Sequence, residues 1–103
     1  MSLREPEQVA PFYFCVDVGD YTGISAVSYE DFLKSIRLVN AKSLSFHVER
    51  GDFQRWLLDV LKDEKLATEI GKIQNQKLQG QALRNRLYSI VSKRYKELNS
   101  KKR

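Results

Sequence analysis

A chain of 103 residues, 42% apolar and 30% charged, has material for one core and one domain. No apolar run nears the roughly 20 residues that span a bilayer, so no membrane partner is expected. The net charge of +5 conceals an asymmetry: residues 1–71 carry 8 basic and 12 acidic side chains (net −4), residues 72–103 carry 10 basic and one acidic, Glu97 (net +9).

Residues 1–10 are polar, interrupted by Pro6, and are read as a flexible N-terminus. They lack the apolar centre of a secretion signal, and Cys15 is the sole cysteine. Both point to a reducing, cytoplasmic setting without an internal disulfide. From Phe12 the pattern alternates, with Phe12, Phe14, Val16 and Val18 on one face and Tyr13, Cys15 and Asp17 on the other, which predicts a strand. Gly19-Asp20 and Gly23 mark a turn and Ile24 to Val27 a short return strand; the glycines lack the spacing and lysine of a phosphate loop. A hairpin of this size needs helices packed on it.

Ser28-Tyr-Glu-Asp31 predicts a helix start with Ser28 as cap. Phe32, Leu33, Ile36 and Val39 follow at helical spacing, and Asn40-Ala41-Lys42 ends the run. Residues 43–50 suit either element: Leu44, Phe46 and Val48 alternate as in a strand, while Leu44, His47 and Val48 share a helical face. The short helix is preferred. Gly51 marks a turn, Asp52 is placed as a cap, and Phe53, Trp56, Leu57, Val60 and Leu61 form an i, i+3, i+4, i+7, i+8 stripe. Asp63 is the expected cap of a helix carrying Leu66, Ile70 and Ile73. A final helix, about 81–98, carries Leu83, Leu87, Ile90, Val91 and Leu98. The two apolar stripes are offset, and Gly80 sits near the junction, so a break or kink is expected at 75–80. Residues 99–103 form a basic tail.

The run Phe46-His47 … Asp52-Phe53 … Trp56-Leu57 … Asp63-Glu64 … Leu66-Ala67 resembles a small domain-of-unknown-function family of archaea and bacteria. With the strand and Ser-x-x-acid opening, the resemblance covers about residues 11–75. The resemblance narrows the fold, brings no established activity and leaves function open. Many relatives carry a glycine before the acid-rich turn, where this chain has Lys62.

The expected fold is therefore α+β and mostly helical: an N-terminal hairpin on about four helices, with a long or kinked C-terminal segment, in one domain over residues 11–98. His47 with Asp52 or Glu49 is the only acid–imidazole combination available, and no nucleophile stands in a recognisable context beside it. It is read first as a structural staple, with Phe46, Asp52, Phe53 and Trp56 as the surrounding motif. One His and one Cys do not make a metal site without carboxylates or a second chain, so no metal and no cofactor are expected. Three function classes remain. The first is a non-catalytic interaction or accessory module, self-associating as a dimer through Leu83, Leu87, Ile90, Val91 and Leu98. The second is a nonspecific nucleic-acid binder using Arg84, Arg86, Lys93 and Lys96, with Tyr88 and Tyr95 stacking on bases. The third and weakest is an enzyme or small-molecule binder centred on His47. Arg94 falls within the apolar face of the last helix, so it must snorkel or meet a carboxylate.

Overall fold

The computed structural model describes residues 10–100. Two strands, β1 (Phe12–Asp17) and β2 (Asp20–Ala26), lead into α1 (Tyr29–Leu38), α2 (Ala41–Arg50), α3 (Asp52–Asp59), α4 (Glu64–Gln74) and α5 (Gly80–Ser100). The chain thus adopts the expected α+β, mostly helical class, with an N-terminal hairpin and a long last helix. Residues 1–9 and 101–103, which hold most of the expected flexible N-terminus and basic tail, lie outside the described residues.

The strands pair antiparallel, with Phe12 opposite Ala26 and Phe14 opposite Ile24, but Cys15 then lies opposite Tyr21, leaving Thr22 and Gly23 as extra residues in β2. The Thr22 hydroxyl donates to Phe14 O at 2.7 Å and accepts from Ile24 N–H at 3.1 Å, replacing rungs that the bulge removes. Gly23 supplies the positive φ (+90°) this requires. The bulge ends the predicted alternation. Phe12 and Phe14 are buried, Val16 is half-buried, and Val18 is 76% exposed in the two-residue turn it forms with Gly19. The turn is therefore tighter, and the return strand longer, than the glycine spacing suggested.

The Ser28 hydroxyl caps α1 by accepting from Asp31 N–H (3.1 Å), while Asp31 Oδ2 accepts from Val27 N–H (3.2 Å). Asn40, expected to end this helix, begins the next one: its side chain accepts from Lys42 N–H at 2.8 Å. Residues 43–50 are helical, with Ser43, Leu44, His47 and Val48 turned into the core. Gly51, in the left-handed region at φ +75°, closes α2 and opens α3. Asp52 is thus not the cap; it is the first residue of α3 and makes no capping bond. Phe53, Trp56 and Leu57 are buried as the stripe predicts, and the Trp56 indole donates to Ala10 O at 2.8 Å, pinning the approach to β1.

Asp63 caps α4 through Leu66 N–H at 2.9 Å. The chain reaches that cap through Lys62 at φ +57°, a conformation that strains any residue with a Cβ. Lys62→Gly should therefore stabilise the fold by about 0.5–1 kcal/mol, the relief of strain exceeding glycine's extra freedom in the unfolded chain. Chemical denaturation with an unchanged slope checks this.

The expected break falls between Gln74 and Gly80. It lets α5 turn back along α4, so that Lys65 near the start of α4 meets Glu97 near the end of α5 at 3.1 Å. α5 also packs on α1 and α2. These contacts cover much of its apolar stripe within the chain. Leu83, Leu87 and Val91 are 1%, 0% and 0% exposed within the single chain. Their burial contributes about 1.5–3 kcal/mol per side chain to the monomer's own core.

Candidate functional site

His47 sits in an aromatic cage at 4% exposure, with ring centroids 4.7 Å from Phe12, 5.0 Å from Phe46 and 5.5 Å from Phe53. Its Nε2 accepts from Cys15 N–H at 2.9 Å. A nitrogen that accepts carries no proton, so the imidazole proton is on Nδ1, which donates to Asp52 Oδ2 at 2.7 Å. Burial pushes the imidazole below its ordinary range, against the pull of the Asp52 carboxylate, and the Arg50 charge adds to the lowering. Asp52 also accepts from Arg50 (3.1 Å) and from Arg55. The ring therefore joins β1, α2 and α3. This is the staple read from the sequence, extended to the hairpin through a backbone N–H that no motif announces. A general base on this ring would have neither nitrogen free.

A second polar cluster lies at the other end of the core. Asp63 is 3% exposed, and its carboxylate receives the Tyr29 hydroxyl (2.6 Å), Arg94 Nε (2.9 Å to Oδ2) and the α4 cap bond. Arg94 also donates to Glu97 at 3.2 Å, and Glu97 accepts from Lys65. Burial works against the ionised carboxyl of Asp63 most strongly, but hydrogen bonds from Arg94, Tyr29 and Leu66 N–H together hold it below its usual range. Burial and the bond to Asp63 push the Tyr29 phenol upward. Arg94 thus meets the carboxylate its place on the apolar face demanded. Asp63 was legible only as a cap; Tyr29 had no signal beyond its place after Ser28.

The candidate nucleic-acid residues separate into two groups. Arg84 is half-buried and donates through Nη2 to Val39 O at 2.7 Å, clasping the end of α1. Its Nε is buried without a hydrogen-bond partner, an arrangement that costs about 1–3 kcal/mol when nothing satisfies it. Arg86, Lys93 and Lys96 are exposed and form no ion pair among the described residues. At ~100° per residue these three fall within an arc of about 80° and span about 15 Å of the helix. The aromatic rings do not join them. Tyr88 lies under the Arg37 guanidinium, 5.3 Å from ring centroid to Cζ, and Tyr95 stacks on Tyr29 at 6.4 Å. Both rings are half-buried and packed against side chains of α1.

Of the candidate self-association residues, Leu83, Leu87 and Val91 are internal. Ile90 is half-buried and lines a groove between α4 and α5 with Lys65, Glu69, Arg86 and Lys93; Leu98 is also half-buried. On the opposite side, α1 and α5 enclose a cleft of about 410 Å³ between Arg37 and Arg84, with no carboxylate in its lining. Among the described residues no group of three or more His, Cys, Asp or Glu is placed to hold a metal ion, and no helix is long and apolar enough to cross a membrane. Compared with protein-family models, curated proteins and solved structures, the chain matches none.

Proposed function

We propose that this protein is a non-catalytic interaction module that binds a polyanion, nucleic acid in the first instance, through the outer face of α5. One observation carries the reading. The apolar side of α5 is used inside the chain, while Arg86, Lys93 and Lys96 stand exposed on one arc and form no ion pair among the described residues; Glu69 and Glu97, beside Arg86 and Lys93 in the α4–α5 groove, are paired with Lys72 and with Lys65 and Arg94. Such a face suits a string of phosphates, and contacts to phosphates position a backbone without reading its sequence. The resemblance to a domain-of-unknown-function family is compatible with this role and adds no activity to it.

Duplex binding should weaken with salt. Neutralising three phosphates gives a slope of log affinity against log salt of about −2.7, and the lysines and arginine of residues 101–103 would steepen it. Replacing Arg86, Lys93 and Lys96 together by Gln should flatten that slope by about 2.7 and leave the melting temperature unchanged. Fluorescence anisotropy across a salt series measures it; an unchanged slope in the triple variant would remove α5 from the contact.

Self-association is the second reading, and it now rests on the hairpin. Tyr13 (55% exposed) and Tyr21 (49%) pack edge to face at 5.5 Å on its outer side, near the exposed Val18. Paired exposed aromatics of this kind are frequent at interfaces. Tyr13→Ser with Tyr21→Ser would abolish a dimer formed there and spare a monomer.

A further inference from the structure

The cleft between α1 and α5 is lined by Arg37, Gln81, Arg84, Asn85, Tyr88 and Ser89. Every one of these side chains carries a hydrogen-bond donor, two are cations, and none is a carboxylate. The α4–α5 groove differs in this respect, since Glu69 and Glu97 sit among its cations and Lys65 and Arg94 are already paired there. Arg37 is exposed, and its guanidinium lies over Tyr88 with Cζ 5.3 Å from the ring centroid. Arg84 is fixed by its bond to Val39 O, which uses one of its five N–H groups, and its Nε has no acceptor. Gln81 donates to Asn85 Oδ1 at 3.1 Å, which leaves the Asn85 amide N–H groups for another acceptor. Two guanidinium groups in one cleft, one of them anchored and neither opposed by acid there, are the chemistry that holds a tetrahedral oxyanion.

We propose that this cleft binds a phosphate group, held by Arg37 and Arg84 with the Asn85 amide and the Ser89 hydroxyl completing its contacts. The phosphate is either one group of a nucleic-acid backbone, in which case the site deepens the function proposed above and rests on it, or a free phosphate, in which case it stands alone. Lys96 lies on the same side of α5 as Asn85 and Ser89 by helical phase, so a backbone seated at the cleft runs towards it.

The test follows arginine Nε–H resonances by NMR while inorganic phosphate, and separately a short duplex, is added at ionic strength held constant with chloride. Phosphate should shift the Arg84 Nε–H signal saturably, and Arg37→Gln should weaken that binding about tenfold, the cost of one charge-assisted contact. Arg37 is exposed, so this variant keeps its fold. Arg84→Gln loses the clasp on Val39 and serves only if its melting temperature is retained. If duplex moves the same signals, the nucleic-acid source is supported. If phosphate moves them and duplex does not bind, the cleft stands and the nucleic-acid function falls. If duplex binds through Arg86, Lys93 and Lys96 while neither addition moves Arg84, the phosphate site is overturned and the function survives. No response to either addition overturns both.

Discussion

Replacing Asp63 with Ala should destabilise the protein by about 4 kcal/mol, the largest loss expected from any single polar substitution in this chain. The change removes the α4 cap, worth about 1 kcal/mol by itself. It also strips the Tyr29 hydroxyl of its acceptor and leaves Arg94, 17% exposed in its side chain, with the more exposed Glu97 in place of its buried carboxylate partner. Asp63→Asn keeps an oxygen for Leu66 N–H and should lose about half as much. Lys65→Ala is the control: it breaks only an exposed contact to Glu97 and should leave the melting temperature where it was. The folded Asp63 pKa lies below its ordinary value of 3.8, so its contribution is present above that value and is lost as pH falls through the lowered one. Urea denaturation of the three variants at pH 7 measures the series. Equal losses for Asp63→Ala and Lys65→Ala would show that the cluster acts as surface charge.

His47→Ala should cost about 3 kcal/mol, or roughly 15 °C in melting temperature for a chain of this length. The loss combines a cavity among Phe12, Phe46 and Phe53 with a Cys15 N–H left without its acceptor. Asp52 keeps Arg50 and Arg55, so it adds little. The pH dependence identifies the mechanism. Because the folded imidazole titrates below its ordinary 6.5, the unfolded chain binds a proton that the folded chain resists. Stability is therefore full above about 6.5 and falls as pH drops from there through the lowered folded value. Protonation at Nε2 would also break the Cys15 bond, so the hairpin should loosen first. His47→Ala should erase this step and leave the lower, Asp63-linked one. Denaturation midpoints from pH 8 down to pH 2 separate the two; an identical pH profile in wild type and His47→Ala would refute the staple.

Much of the architecture was legible because local chemistry and tertiary packing agree. The Ser28 cap, the Phe53-Trp56-Leu57 stripe and the break before Gly80 each have a signal confined to a few residues. Residues 43–50 were ambiguous because Leu44, Phe46 and Val48 alternate; the buried set Ser43, Leu44, His47 and Val48 decides for the helix and turns the imidazole inward. What was not legible depends on partners distant in sequence. Nothing local tells that Thr22 and Gly23 are extra in the ladder, that Asp63 serves three donors, or that Arg84 reaches a backbone carbonyl 45 residues away. An apolar stripe likewise does not say whether its own chain or a second copy covers it. Leu83, Leu87 and Val91 show that difference most clearly. Once they are internal, the cations opposite them become the outward face of α5.

On the proposed function, α5 spends its apolar side internally and offers its cationic side to a polyanion. Light scattering of the pure protein, in low and high salt and with and without a duplex, tests it most directly. The account predicts one-chain mass in both salts and a gain in mass with duplex at low salt only. A salt-insensitive dimer indifferent to duplex would contradict it and return the working surface to self-association.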